Sequence, residues 1–261
     1  MKKKIALFCD YGLDDACATL YLFRNANKFE QIDILPIGGN MPFSVSFNNA
    51  KRLLHNVEEL PNNIRLIDAS EIKCPEECIP HIHGNDGMGD VISSVKTPET
   101  ATTPYSEWLK EVDDSYIFVS LGPCTLPLDA LKKTGEHELL IMGGNISEPP
   151  NFMGYEFNHA LDLNAFSECV KFNHFAATLD TCHNKKCDFY KIKLNGDGLF
   201  EKMVEGSVVL SRKRGEKGCY IYDLITVVFL IHPEKFSSEI KTDKDGNKIN
   251  VLEYVSDDTI L

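Results

Sequence analysis

A repeated unit constrains the fold: a short continuous apolar run, a break at polar or glycine residues, then residues with helical spacing. Ile5 to Cys9 is one such run. It stops at Asp10, and Asp14 to Phe23 follows with Ala16, Ala18, Leu20, Leu22 and Phe23 apolar. Ile32 to Ile37 stops at Gly38-Gly39-Asn40 and leads into a helical pattern from Ser44 to Val57. Ile64 to Ile67 is a further run. Tyr116 to Ser120 turns at Gly122-Pro123 into a helix ending at Lys133, and Leu139 to Met142 ends in Gly143-Gly144. Runs without polar alternation read as strands buried on both faces, and their alternation with helices predicts crossover connections. The expectation is an α/β fold: a mainly parallel central sheet flanked by helices, in one domain over residues 1–261.

Residues 68–102 break the pattern. Pro75, Pro80, Gly84, Gly87 and Gly89 punctuate them, predicting a long loop of the kind that serves function. Thr103-Pro104 then predicts a helix start, with Pro at the first helical position and the helix running through Glu111. Later come a helix from Asn164 to Lys171, a strand from Phe175 to Leu179 ending at Asp180, and helices over 196–211 and 222–231. Asp243-Lys244-Asp245-Gly246 predicts the turn of a small C-terminal β-hairpin, between Ile240-Lys241 and Asn250 to Tyr254.

With 39 acidic against 27 basic residues the formal charge is −12, so the surface repels nucleic acid and anionic membranes. A small molecule is the expected partner. The apolar stretch after Lys4 is too short for a signal-peptide core, and Leu224 to Ile231 is too short to span a membrane. The odd count of cysteines, 9, suits reduced thiols, and the expected location is cytoplasmic. Cys74, Cys78, His81 and His83, and likewise Cys182, His183 and Cys187, have zinc-like spacing. Neither set has the compact ribbon such sites need, so no zinc is expected.

Asp10, Asp14 and Asp15 crowd the junction between the first strand and the first helix, where open α/β sheets place ligands. Helix capping accounts for one such carboxylate. A hard cation with oxygen ligands accounts for the set better, and Ca²⁺ tolerates irregular geometry. Asn40 and Asp180 also follow apolar runs, and in a parallel sheet all these residues share one rim.

At this point the chain resembles the inosine-uridine-preferring nucleoside hydrolase family. Phe8-Cys9-Asp10-Tyr11-Gly12-Leu13-Asp14-Asp15-Ala16 is similar to that family's DxDPGxDDA turn. Gly39-Asn40 with Asn49-Ala50, then His83-Gly84-Asn85-Asp86-Gly87-Met88-Gly89 and Leu121-Gly122-Pro123-Cys124-Thr125, resemble later blocks in order. So do Met142-Gly143-Gly144, Asn151, Glu156-Phe157-Asn158, Asp162, Leu179-Asp180-Thr181-Cys182-His183 and Tyr222-Asp223. The resemblance implies Ca²⁺ held by Asp10, Asp15, the Leu121 carbonyl and Asp223. It implies that Asp10 also deprotonates the attacking water, and that Asp14, Asn40, Asn151, Glu156 and Asn158 bind the ribose hydroxyls. It further implies a homo-oligomer, dimer or tetramer.

The expected activity is calcium-dependent hydrolysis of a ribonucleoside to free base and ribose. An acidic pocket suits an oxocarbenium-like sugar, and one that binds each hydroxyl should reject deoxyribose. The chain departs from the family at Phe8 and Tyr11, in a short C-terminus, and above all at Tyr222, where the family has the His that protonates the departing base. Tyr222 and His83 are the expected base-side residues, with Tyr220, Asp86 and Glu216 in segments that could reach the base. Loss of that His is compatible with a 7-deazapurine such as the base of queuosine, and equally with an ordinary purine held by stacking. The alternative is a nucleoside-binding protein with little turnover.

Overall fold

The computed structural model describes residues 2–77, 79–92 and 96–261. The strands are β1 (Lys4–Cys9), β2 (Gln31–Pro36), β3 (Ile64–Asp68), β4 (Thr103–Pro104), β5 (Tyr116–Ser120), β6 (Glu138–Met142), β7 (His174–Ala177), β8 (Phe236–Thr242) and β9 (Lys248–Tyr254). The α-helices are α1 (Leu13–Arg24), α2 (Phe43–Asn56), α3 (Pro80–His83), α4 (Tyr105–Trp108), α5 (Thr125–Thr134), α6 (Phe157–Leu161), α7 (Leu163–Cys169), α8 (Leu179–Cys182), α9 (Leu199–Lys213) and α10 (Tyr222–Ile231). All strands join one sheet in the order β4-β3-β2-β1-β5-β6-β7-β9-β8, parallel throughout except for the antiparallel β8–β9 pair. The mainly parallel α/β fold with a C-terminal hairpin is borne out.

β1 shows why the sheet forms. Ile5, Leu7 and Cys9 enter one apolar core, while Ala6 and Phe8 enter the other, so both faces are covered. α10 and α9 pack on α1 over the first face. On the second, Phe8 meets Phe118 at 5.4 Å and Trp108 at 6.4 Å between ring centroids. The chain leaves β1 toward β2, β3 and β4, then returns to place β5 on β1's other side and proceeds away. This reversal is the switch point where an α/β sheet opens a crevice at its carboxyl rim.

Several boundaries differ from expectation. Thr103-Pro104 starts no helix; it is a strand paired with Ile67 and Asp68. Pro104 sits in an extended conformation and the helix begins after it, at Tyr105. The burial of Tyr105 and Trp108, with the Trp108 indole N–H donating to Asp33 at 2.8 Å, holds this arrangement. β7 ends at Ala177 because Thr178 and Thr181 form a capping box that opens α8. Asp180 therefore lies in the first turn of α8, where its carboxylate accepts the backbone N–H groups of Ile146, Ser147 and Glu148. The helix expected from residue 196 starts at Leu199, after Gly196 at φ 133° and Gly198 at the cap. The hairpin strands are longer than expected, and β9 pairs with β7, so the hairpin extends the main sheet. Among its described residues, the loop expected over 68–102 holds one short helix, α3.

Candidate functional site

β1 delivers Asp10 to the rim at the switch point. The next residue, Tyr11, takes the left-handed conformation at φ 44°, unusual for a bulky side chain. It is wholly buried. Gly12 then caps α1, its N–H donating to Asp15 Oδ2 at 2.8 Å. Asp10 is fully buried and is gripped by Asn40. Oδ2 accepts the Asn40 backbone N–H at 2.7 Å, and Oδ1 accepts its side-chain Nδ2 at 3.0 Å. A Cβ on Gly39 would lie 2.0 Å from Asp10 Oδ2, so glycine is required there for the carboxylate to fit.

Carboxylate oxygens of Asp14, Asp15 and Asp223 lie within 4.8 Å of one another. Asp15 and Asp223 are buried, and one buried oxygen on each of Asp14 and Asp15 has no hydrogen-bond partner. Burial pushes the Asp10 carboxyl up to about 7. It also pushes Asp15 and Asp223 well above the ordinary carboxylate range, and the neighbouring carboxylates add to the shift. Among the described residues no lysine or arginine pairs with any of them. Leaving this much negative charge buried without a counter-charge is expensive. The oxygen donors and orphaned lone pairs therefore fit a hard cation.

Leu121 follows β5, and its N–H donates to the Phe8 carbonyl at 2.8 Å, pinning it beside β1. Its own carbonyl accepts Asn158 Nδ2 at 2.9 Å, which leaves a second lone pair. Asn158 Nδ2 also reaches the Met142 carbonyl at 3.2 Å, so one side chain ties the ends of β5 and β6. Glu156 caps α6, accepting the backbone N–H groups of Asn158, His159 and Gly144, and burial lifts its carboxyl to about 7.

Every site residue expected from the sequence lines one cavity of about 470 Å³, except the wholly buried Asp10 and Asp15. His83, expected beside the base, lines the cavity and also meets the carboxylates. Its Nδ1 accepts the Leu13 N–H at 3.1 Å and lies 3.6 Å from Asp14 Oδ1. Tyr222, Tyr220 and Glu216 also line the cavity, whereas Asp86 turns to the backbone of Met88 and Asp90. Sequence reasoning missed Arg214, which lines the cavity, pairs with Glu216 at 2.7 Å and donates to the Ile82 carbonyl. It also missed two residues behind Tyr222. His183 Nε2 lies 3.2 Å from the Tyr222 hydroxyl, and His183 Nδ1 lies 2.8 Å from Glu148 Oε2. The family-like segment 179–183 was the available signal for His183, but nothing in it pointed to Tyr222.

Other clusters carry less. Cys78 and the His81 side chain fall outside the described residues, and Cys182 and Cys187 are buried thiols. Among the described residues one other set could hold a cation: His159, Asp243 and Asp245. There Asp243 is already committed to the β8–β9 turn, accepting from the backbone of Asp245 and Asn247.

A sequence model described as inosine-uridine preferring nucleoside hydrolase matches residues 5–254. A search of curated proteins returned no match. Solved structures do match. A plant nucleoside hydrolase is 18% identical at a TM-score of 0.75, covering 97% of this chain and 87% of that one. A purine-preferring ribonucleoside hydrolase from Gardnerella vaginalis is 19% identical at 0.73, covering 98% and 94%. An inosine-uridine preferring nucleoside hydrolase from Bacillus anthracis is 14% identical at 0.65, covering 98% and 95%. At these identities the structural likenesses establish the fold. Among the described residues no helix is long and apolar enough to cross a membrane.

Proposed function

The chain belongs to the inosine-uridine preferring nucleoside hydrolase family, and on that premise we propose calcium-dependent hydrolysis of a purine or modified purine ribonucleoside to free base and ribose. The observation that carries the metal is the set of carboxylates at the switch point, Asp10, Asp15 and Asp223 buried, with no lysine or arginine paired to them among the described residues. Asp10, Asp15, the Leu121 carbonyl and Asp223 are the residues that would hold the ion. When bound, it neutralises these carboxylates and makes a water more acidic.

The chain's own groups do the rest. Asp10, held at both oxygens by Asn40, takes a proton from the attacking water. As the glycosidic bond breaks, positive charge grows on the sugar, and Asp14 and Glu156 face it across the cavity. Asp14, Asn40, Asn151, Glu156 and Asn158 bind the ribose hydroxyls. Asn158 turns its amide nitrogen to two carbonyls, so its Oδ1 is the atom it offers the sugar. Tyr220 and Tyr222 flank the base.

A reducing-sugar assay on inosine, guanosine, uridine and queuosine, with calcium and with chelator, tests this on wild type and Asp10→Ala. Ribose release that survives both chelation and the substitution would defeat the mechanism. Queuosine is the narrowest version of the substrate, and no turnover of it removes that version alone.

A further inference from the structure

Tyr222 lines the cavity on the side proposed for the base, and its hydroxyl lies 3.2 Å from His183 Nε2. A phenol that must ionise outright is a poor acid. One that is handed a proton as it gives its own away need never become a phenolate. We propose that Glu148, His183 and Tyr222 form a proton relay to the base, with Tyr222 as the donor and His183 and Glu148 as the groups that position and resupply it. The proposal rests on the hydrolase reading above.

The geometry fixes one proton of the relay and leaves two states for the other. His183 Nδ1 lies 2.8 Å from a Glu148 carboxylate oxygen, an acceptor only, so Nδ1 carries a hydrogen. His183 Nε2 lies 3.2 Å from the Tyr222 oxygen and has two possible roles. In a singly protonated ring, Nε2 accepts the phenol proton and draws it away from the cavity. In a doubly protonated ring, Nε2 donates to the phenol oxygen and leaves the phenol's own proton free for the cavity. Only the second arrangement is an acid facing the base, and Glu148 at Nδ1 is the partner it needs. Tyr220 packs on the His183 ring, with centroids 4.9 Å apart, and restrains its rotation.

The step balances. The glycosidic C–N bond breaks and its electron pair stays on the base. Tyr222 gives its hydroxyl proton to the base as His183 Nε2 gives one to the Tyr222 oxygen. His183 is left neutral with Nδ1–H on Glu148, and solvent reprotonates it, since its side chain is 28% exposed.

The test compares two leaving groups. Inosine needs its base protonated; 4-nitrophenyl β-ribofuranoside expels a stable phenolate that does not. In Tyr222→Phe and His183→Gln the ratio of kcat on inosine to kcat on the nitrophenyl riboside should fall about 100-fold. The half-exposed Glu148→Gln should shift it about tenfold in the same direction. KM for inosine should change by no more than about threefold, because the lost interaction acts in the transition state. Equal losses on both substrates would assign these residues a structural role and overturn the relay. So would an unchanged ratio in His183→Gln. Wild-type protein inactive on both substrates would instead overturn the hydrolase reading, which keeps the two failures distinct.

Discussion

Asp33, in β2, and Asp15, in the first turn of α1, are both wholly buried carboxylates, and their surroundings are opposite. Asp33, in the middle of β2, accepts from Arg65 Nε at 2.8 Å and Nη2 at 2.9 Å, from the Trp108 indole at 2.8 Å and from the Tyr116 hydroxyl at 2.6 Å. Its charge is cancelled and its lone pairs are used by groups the chain supplies. Asp15, at the rim, has one satisfied oxygen, one orphaned oxygen, and carboxylates for neighbours. The same residue type at the same burial therefore does two jobs. Where the chain brings its own counter-charge, the carboxylate holds the fold together. Where it does not, the carboxylates form a candidate site for a counter-charge from outside, as proposed above.

The largest expected effect falls at the rim. Asp10→Asn should lower kcat on ribonucleosides by about 1,000-fold, with circular dichroism unchanged. Loss of less than tenfold would break the assignment of Asp10 as base. Asp33→Ala should do the reverse. Removing Arg65's buried partner, with only the exposed Glu111 left to it, and leaving the Trp108 and Tyr116 donors unpaired should cost about 3 kcal/mol of stability in urea melts, while kcat per folded molecule holds.

A third effect is pH-dependent. Without a cation, Asp10 and Glu156 have carboxyls raised to about 7, above unfolded values near 4. The folded chain then binds more protons than the unfolded one across roughly pH 4 to 7, so stability falls as pH rises through that window. In chelator the melting temperature should be lower at pH 8 than at pH 5 by about 3 °C or more, and calcium at pH 8 should restore it. A melting temperature that rises with pH in chelator would break the comparison. The smallest effect is Asp14→Asn, which removes one like charge from the cluster. It should stabilise the chelated protein by about 0.5 kcal/mol while weakening nucleoside turnover. Destabilisation instead would mean that Asp14 is held by partners other than a cation.

Much of this contrast was legible in the chain. Asp10, Asp14 and Asp15 announce themselves because they are adjacent at a strand-to-helix break, and the buried strands announce themselves by unbroken apolar runs. Asp223 and Leu121 carry no local signal, since their proposed role depends on which elements become neighbours; only the family resemblance pointed to them. Asp33 was unreadable, a lone acid inside Ile32 to Ile37 whose partners come from β3, α4 and β5. Asp180 misled because a capping box two residues earlier turned the chain before it could face the rim. Thr103-Pro104 misled because a helix-start signature is local, and pairing with Ile67 and Asp68 is not. His83 was expected on the base side; it lines the cavity, and its acceptance of the Leu13 N–H could not be read from the sequence.

Gly39 has a consequence for how this sequence can drift. Every single-base change in a glycine codon that yields another amino acid adds at least a Cβ, and here that atom would sit 2.0 Å from Asp10 Oδ2. The position thus has no neutral neighbours in codon space, although it touches no substrate in the reading above. A library randomised at Gly39 and selected for ribose release should return only glycine. Foldable chains with other residues there should accumulate among the inactive clones.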